Sequence, residues 1–253
     1  MLQFDINVVK FLNSYVGQSP NFDAGVVYLS SAYLFKMTPM IVLLWAFWFI
    51  RDENRLKRRI DVFLAFAGSF VAMATARGLA LILRFHARPI HNPDLALQIP
   101  YPMERHWLDG WSSMPSDHAA LAFALAMGVF LIHRKWGILV LLHAIVVICL
   151  PRAYLGMHYL TDLLVGAMVG ISAAWLTMRT FNMKALVACM MAFEKARPAI
   201  FYVLFFLMAS QMLEMFDDVR YFARGVVRPM IKEVIKKVAP EPLHTISVKK
   251  ISE

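Results

Sequence analysis

The stretch "MPSDHAALAFALAMGVFLI", Met114 to Ile132, sets Ser116, Asp117 and His118 at the mouth of an otherwise apolar helix. Three polar side chains where a membrane span begins are either a helix cap or part of a site. If they do chemistry, other polar residues must converge on the same membrane face. The rest of the chain supplies that test.

The 253 residues are 60% hydrophobic and only 17% charged, with a mean hydropathy of +0.58. That exceeds the apolar share of an ordinary soluble domain. The excess falls in runs near 32–50, 60–83, 118–132, 136–151, 159–178 and 199–216. A bilayer core of ~30 Å takes ~20 helical residues. Two of the runs are short, and the tight turn His133-Arg134-Lys135 between them makes a helical hairpin. The expectation is an all-α polytopic transmembrane helix bundle of about six spans.

At the N-terminus, Phe4, Val8, Phe11, Leu12 and Tyr15 recur at helical spacing, which predicts an amphipathic interfacial helix. No basic n-region precedes an apolar h-region, so no cleaved signal peptide is expected. "GQSPNFD" (17–23) ends that helix. The organisation expected is an interfacial segment over 1–30 and a transmembrane core over 31–180. Residues 181–253 then hold a possible sixth span and a basic amphipathic tail. Cys149 and Cys189 lie in apolar segments and read as buried hydrophobes without a disulfide framework.

The net charge is +9. Its distribution is that of a membrane protein. Arg51, Arg55, Lys57, Arg58 and Arg59 share one loop, Arg134 and Lys135 the hairpin turn, and Arg179, Lys184, Lys195 and Arg197 another loop. Counting spans by parity, all three loops fall on one side, which the positive-inside rule makes cytoplasmic. A sixth span would export the tail with Arg220, Arg224, Arg228, Lys232, Lys236 and Lys237, so a re-entrant or interfacial helix is the alternative there. No basic–aromatic platform points to nucleic acid.

The same parity gathers a second set outside. "LRFHARP" (83–89) ends the second span, "PSDH" (115–118) begins the third, and "PRAYLGMHYLTD" (151–162) joins the fourth to the fifth. Arg88, Ser116, His118, Arg152, His158 and Asp162 therefore share one depth on one face. Ionisable groups at that depth are costly and mark function more often than not. His158 and Asp162 are four apart, a spacing that puts them on one helix face. A carboxylate on one imidazole nitrogen leaves the other nitrogen's lone pair free for attack. Arg88 and Arg152 suit the oxygens of a phosphate, and Ser116 with the helix N-terminus makes an anion site. His118 is placed to protonate a leaving oxygen. These parts describe phosphoryl transfer through a phosphohistidine, with no metal and no cofactor. His86, His91 and His106 also fall in the outer region, but their spacing fits no tight ligand pattern.

"ARP" (87–89), "PSDH" and the R-x5-H-x3-D of Arg152, His158 and Asp162 resemble the three signature blocks of the type 2 phosphatidic acid phosphatase superfamily. These are membrane lipid phosphate phosphatases related to vanadium haloperoxidases. The resemblance covers about residues 77–170 and implies His158 as nucleophile, Asp162 as its orienting partner and His118 as general acid. It assigns phosphate binding to Arg88, Arg152 and Ser116. Three positions depart from the pattern. Leu81 stands where a Lys is usual, and Arg84, more than Arg77, is expected to replace its charge. Asp117 takes the place of a Gly and joins the phosphate-binding set, and Pro151 replaces a Ser.

The Asp117 variant and "LNSYVGQSPNFD" (12–23) are similar to bacterial undecaprenyl-diphosphatases of that superfamily. What the resemblance implies is a multi-pass protein of the bacterial cytoplasmic membrane, with its site facing the periplasm or exterior. Its partner would be a lipid phosphate, first undecaprenyl diphosphate. Phosphatidic acid, phosphatidylglycerol phosphate and lipid A are alternatives. A protein of another class, binding or transporting an anionic lipid without cleaving it, is the remaining alternative.

Overall fold

The structure is a computed structural model and describes residues 2–104, 110–180 and 184–215. Among them every regular element is helical. In chain order these are α1 (Gln3–Asn13), α2 (Pro20–Ser31), α3 (Thr38–Phe49), α4 (Arg55–Ile82), α5 (Asp117–Ile132), α6 (Arg134–His143), α7 (Leu150–Tyr154), α8 (Leu160–Thr180), α9 (Lys184–Ala196) and α10 (Pro198–Leu213). Residues 1–213 form one compact unit. The expected basic tail, and the loop residues Arg105, His106 and Trp107, lie outside the described residues.

Three stretches are long and apolar enough to cross a membrane: Arg55–Ile82, Arg134–Tyr154 and Leu160–Arg179. This is a multi-pass membrane protein. The expected count of about six is corrected to three helices of spanning length among the described residues. The other apolar helices, α3, α5 and α10, have 12, 16 and 16 residues. At 1.5 Å per residue they reach only ~18–24 Å, short of a ~30 Å hydrocarbon core.

The second long stretch is not uniform. Between α6 and α7 the chain winds as a π-helix over Ala144–Cys149. Pro151 explains why: a proline inside a helix lacks an N–H and its ring crowds the carbonyl four residues back. The wider winding relieves that contact and sets the phase of Arg152.

The core is α4, α5 and α8 packed against one another. Small residues let the backbones approach, as Ala72, Ala124 and Ala174 meet in one cluster. A Cβ on Gly166 would stand 2.4 Å from the Ser116 carbonyl oxygen, and one on Gly170 2.2 Å from that of Ala120. These glycines are where α8 touches the backbone of α5, as small-residue packing of membrane helices requires. At the far end of α4, Arg59 donates to both Glu194 oxygens, at 2.7 and 2.9 Å. Arg59 lies over the Trp48 ring, and Trp45, Trp48, Phe66, Phe201 and Phe205 pack on one another, joining α3 and α10 to the bundle.

The N-terminal helix α1 forms where periodicity placed one, but its buried side differs. Phe4, Phe11 and Tyr15 are exposed, while Asp5 and Val9 are buried. Asp5 accepts from the backbone N–H and hydroxyl of Thr161, at 3.0 and 2.7 Å. In α2, Asp23 accepts from the Tyr154 hydroxyl at 2.5 Å and from Gly17 N–H at 2.8 Å. Two buried aspartates thus pin α1 and α2 to the ends of α8 and α7.

Gly170→Ala should lower the melting temperature in detergent, because the added methyl forces α5 and α8 apart at a cost of ~1–3 kcal/mol. Gly78→Ala in α4, where a Cβ meets nothing within 4 Å, should leave it unchanged or raise it. Equal melting of the two variants would contradict the close approach.

Candidate active site

The site is assembled from three chain segments that meet at the start of α8. The first is the coil after α4, carrying His86 and Arg88. Gly156 holds it: its φ of +65° turns the chain out of α7 in a conformation favouring glycine. Its carbonyl accepts from Ile90 N–H at 2.9 Å, which brings Arg88 against the 157–158 backbone. Arg88 is buried and its Nη1 donates to the Met157 carbonyl at 2.9 Å. The same Nη1 stands 3.1 Å from His158 Nε2.

That contact decides the imidazole's tautomer. A guanidinium only donates, so Nε2 presents its lone pair and the proton sits on Nδ1. Nδ1 faces Asp162 Oδ2 at 3.7 Å, an ion-pair distance longer than a hydrogen bond. Burial, then the positive charge of Arg88, lowers the His158 pKa, with Asp162 opposing. The ring is therefore held neutral, the form a nucleophile needs. Burial also lowers the pKa of Arg88 from its ordinary value, with Asp117 and Asp162 opposing.

His158 is not helical, as its spacing from Asp162 suggested; it precedes α8, which begins at Leu160. The spacing works by another route. Asp162, in the first turn of α8, reaches back to accept from Tyr159 N–H at 2.8 Å, the return half of a capping box. Its backbone carbonyl accepts from Ser116 N–H at 3.1 Å, and its Oδ1 lies 3.2 Å from His86 Nδ1. Ser113 Oγ is 3.0 Å from that same nitrogen. His86 is a site residue that spacing did not reveal, because its partners lie 27 and 76 positions away in the chain.

The second segment is the N-terminus of α5. Ser116 is fully buried and its Oγ accepts from Ala119 N–H at 3.4 Å, as an N-cap does. Asp117 is not open to an anion. A carboxylate only accepts and repels an anion, and this one is engaged by Arg77 and His118. Its Oδ2 pairs with Arg77, and its Oδ1 lies 3.0 Å from His118 Nδ1. Asp117 thereby stands to His118 as Asp162 does to His158, a carboxylate on Nδ1 that leaves Nε2 as the nitrogen for proton transfer. The site thus contains two His–Asp pairs.

The helical-face argument that favoured Arg84 over Arg77 fails because α4 ends at Ile82. Arg84 has left the helix and is exposed, and Leu81 points outward at 88% exposure. Arg77 lies over the Trp111 ring at 5.2 Å and holds Asp117. The third segment is α7, where Arg152 is buried and its Nη1 donates to the Ile148 carbonyl at 3.0 Å.

Another buried cation precedes α3. Lys36, in the turn before α3, is 6% exposed, with its ammonium 4.3 Å from the Tyr33 ring centroid. Burial, then the like charge of Arg152, pushes its pKa down to about 8 against the pull of Asp117. Among the described residues no group of three or more His, Cys, Asp or Glu side chains is arranged to hold a metal ion.

A helical membrane protein with two His–Asp pairs and buried arginines at one end of its bundle defines a class, and the comparisons agree with it. Residues 70–186 match the PAP2 superfamily, and the chain belongs to that superfamily. It is 25% identical over 167 residues to "Putative undecaprenyl-diphosphatase YbjG" of Escherichia coli (strain K12), covering 66% of this chain and 77% of that protein. It is 29% identical over 173 residues to "Bacitracin transport permease protein BcrC" of Bacillus licheniformis, covering 68% and 78%. No solved structure matches the chain.

Arg77→Ala should lower kcat/KM for a lipid phosphate at least ~10-fold, since it frees the Asp117 carboxylate that orients His118. Arg84→Ala should change it less than about twofold, as an exposed charge does. The reverse ordering, at equal folded yield, would return the role to Arg84.

Proposed function

We propose that this protein is a phosphatase removing phosphate from a lipid phosphate or diphosphate through a phosphohistidine at His158. The observation that carries the reading is the contact of Arg88 Nη1 with His158 Nε2 at 3.1 Å. It supports the reading because the cation proposed to bind phosphate meets the imidazole nitrogen that carries the lone pair. In the first step that lone pair attacks phosphorus. The bond to the leaving oxygen breaks, and His118 Nε2 supplies the proton. Arg88, Arg152, Ser116 and the α5 amides neutralise charge on the transferred oxygens. Water then attacks phosphorus, His118 takes its proton, and phosphate departs from Nε2. Asp162 keeps Nδ1–H oriented throughout.

The lipid tail stays between helices or in the leaflet. An apolar cavity of about 500 Å³ supports this, because its walls include Pro151 and Tyr154, the flanks of Arg152. The reading extends to a multi-pass protein of a bacterial cytoplasmic membrane with the site facing outward. The first substrate is undecaprenyl diphosphate, in keeping with the printed name of the Escherichia coli relative. The printed name of the Bacillus relative, a transport permease, favours a second reading in which an anionic lipid is held or moved without cleavage.

The two separate in one assay. Purified protein in detergent should release phosphate from a short-chain lipid phosphate, and should do so in excess EDTA. Asp162→Asn should keep the fold and lose ~100-fold or more in kcat, because the amide no longer selects the productive tautomer. Binding of the lipid without phosphate release would favour the transport reading. Loss on chelation with recovery on adding zinc or magnesium would overturn the metal-free mechanism.

A further inference from the structure

The coil that delivers Arg88 carries a second ring two positions earlier. The His86 backbone is held by residues 112 and 113: its N–H donates to Ser112 Oγ at 3.3 Å, and its carbonyl accepts from Ser113 N–H at 2.8 Å. The ring lies against that of Tyr159, with centroids 5.1 Å apart. Its Nδ1 comes to 3.2 Å from Asp162 Oδ1 and 3.0 Å from Ser113 Oγ. A carboxylate only accepts, so Nδ1 bears the hydrogen in that contact. This holds for the neutral Nδ1–H tautomer and for the imidazolium alike. An interfacial histidine needs no such partner, yet this one aims Nδ1 at a fully buried carboxylate.

The contact completes the Asp162 carboxylate. Oδ2 accepts from Tyr159 N–H at 2.8 Å and stands 3.7 Å from His158 Nδ1. Among the described residues, His86 is the only hydrogen-bond partner of Oδ1. The terminal torsion of an aspartate is broad and roughly two-fold, so a carboxylate bonded at one oxygen alone can rotate about its Cβ–Cγ bond. Rotation would carry Oδ2 away from His158 Nδ1. The bond from His86 to the other oxygen closes that freedom. One short coil thus grips both ends of the nucleophile pair: Arg88 Nη1 meets His158 Nε2 at 3.1 Å, and His86 Nδ1 meets Asp162 Oδ1.

We propose that His86 is a positioning residue for phosphoryl transfer, fixing the Asp162 carboxylate so that His158 presents Nε2 in the attacking orientation. The inference rests on the phosphatase reading above. In this role His86 touches neither substrate nor phosphorus and acts through Asp162. As the Nε2 lone pair bonds to phosphorus and the leaving oxygen departs, positive charge develops on the His158 ring and its Nδ1–H leans on Asp162 Oδ2. A carboxylate already held in one orientation meets that demand without reorganising. Loss of His86 therefore slows the transfer step more than it weakens substrate binding, because a small misplacement of reacting groups costs a large factor in rate.

The test uses full-length protein in detergent and a short-chain lipid phosphate. His86→Leu should lower kcat ~10-fold or more, the worth of a hydrogen bond to a charged group, with KM within about twofold. His86→Asn should recover to within about threefold of wild type, because its amide donor sits at the reach of Nδ1. His86→Gln, with the amide one carbon further out, should stay slow. In an Asp162→Asn background His86→Leu should cost less than about threefold, since residues that act as a unit are not additive. A binding arm needs no turnover. Orthovanadate, a five-coordinate analogue of the phosphoryl in transfer, should bind the Leu variant ~10-fold more weakly and the Asn variant as tightly as wild type. Equal activity of the Asn and Gln variants, full additivity with Asp162→Asn, or unchanged vanadate binding by the Leu variant would overturn the proposal. If His86→Leu fails to fold, the comparison of Asn with Gln carries the test alone. Wild-type protein that shows the vanadate pattern yet hydrolyses no lipid phosphate would sustain the positioning role and refute the phosphatase reading.

Discussion

Everything at the site hangs on Asp162, whose side chain is fully buried. Its backbone carbonyl takes the Ser116 N–H, tying α8 to the start of α5. One carboxylate oxygen caps its own helix through Tyr159 and faces His158, and the other reaches His86 on the coil after α4. A buried carboxylate is tolerated only when its lone pairs are filled. Satisfying this one requires three chain segments to be in register at once. The packing serves that register, since Gly166 and Gly170 bring α8 onto the α5 backbone. Folding the bundle and building the site are therefore one event.

The N-terminal helices extend the same logic. Asp5 holds Thr161, the residue before Asp162, and Asp23 holds Tyr154, two residues after Arg152. Each buried aspartate fixes a chain segment adjoining a site residue without entering the site itself. The π-wound turn before Pro151 adds a third local constraint, setting the angle from which Arg152 enters.

Much of this was legible in the sequence. The helical class followed from the apolar runs, and the three polar blocks between them come together as one cluster. What escaped has physical reasons. A fixed helical spacing was extended past its end at Ile82, which misplaced Arg84, and was imposed on His158, which lies in a turn. Asp117 was grouped with the expected phosphate ligands because it lies between two of them in sequence. Only the structure reveals that Arg77 and His118 engage its carboxylate. His86 carries no local pattern at all, for its contacts come from chain segments distant in sequence. The helices α3 and α10 are shorter than the apolar runs that predicted them, because flanking residues leave the helix to form turns.

The central claim is that His158 Nε2 takes the phosphoryl group. Its most direct measurement is rapid mixing of enzyme with excess lipid diphosphate, an alkaline quench that preserves phosphohistidine, and mass spectrometry of the 152–162 peptide. The account predicts a phosphate mass on His158 that disappears in His158→Ala and persists, formed more slowly, in His118→Ala. A phosphate on any other residue, or turnover by His158→Ala at the wild-type rate, would contradict it.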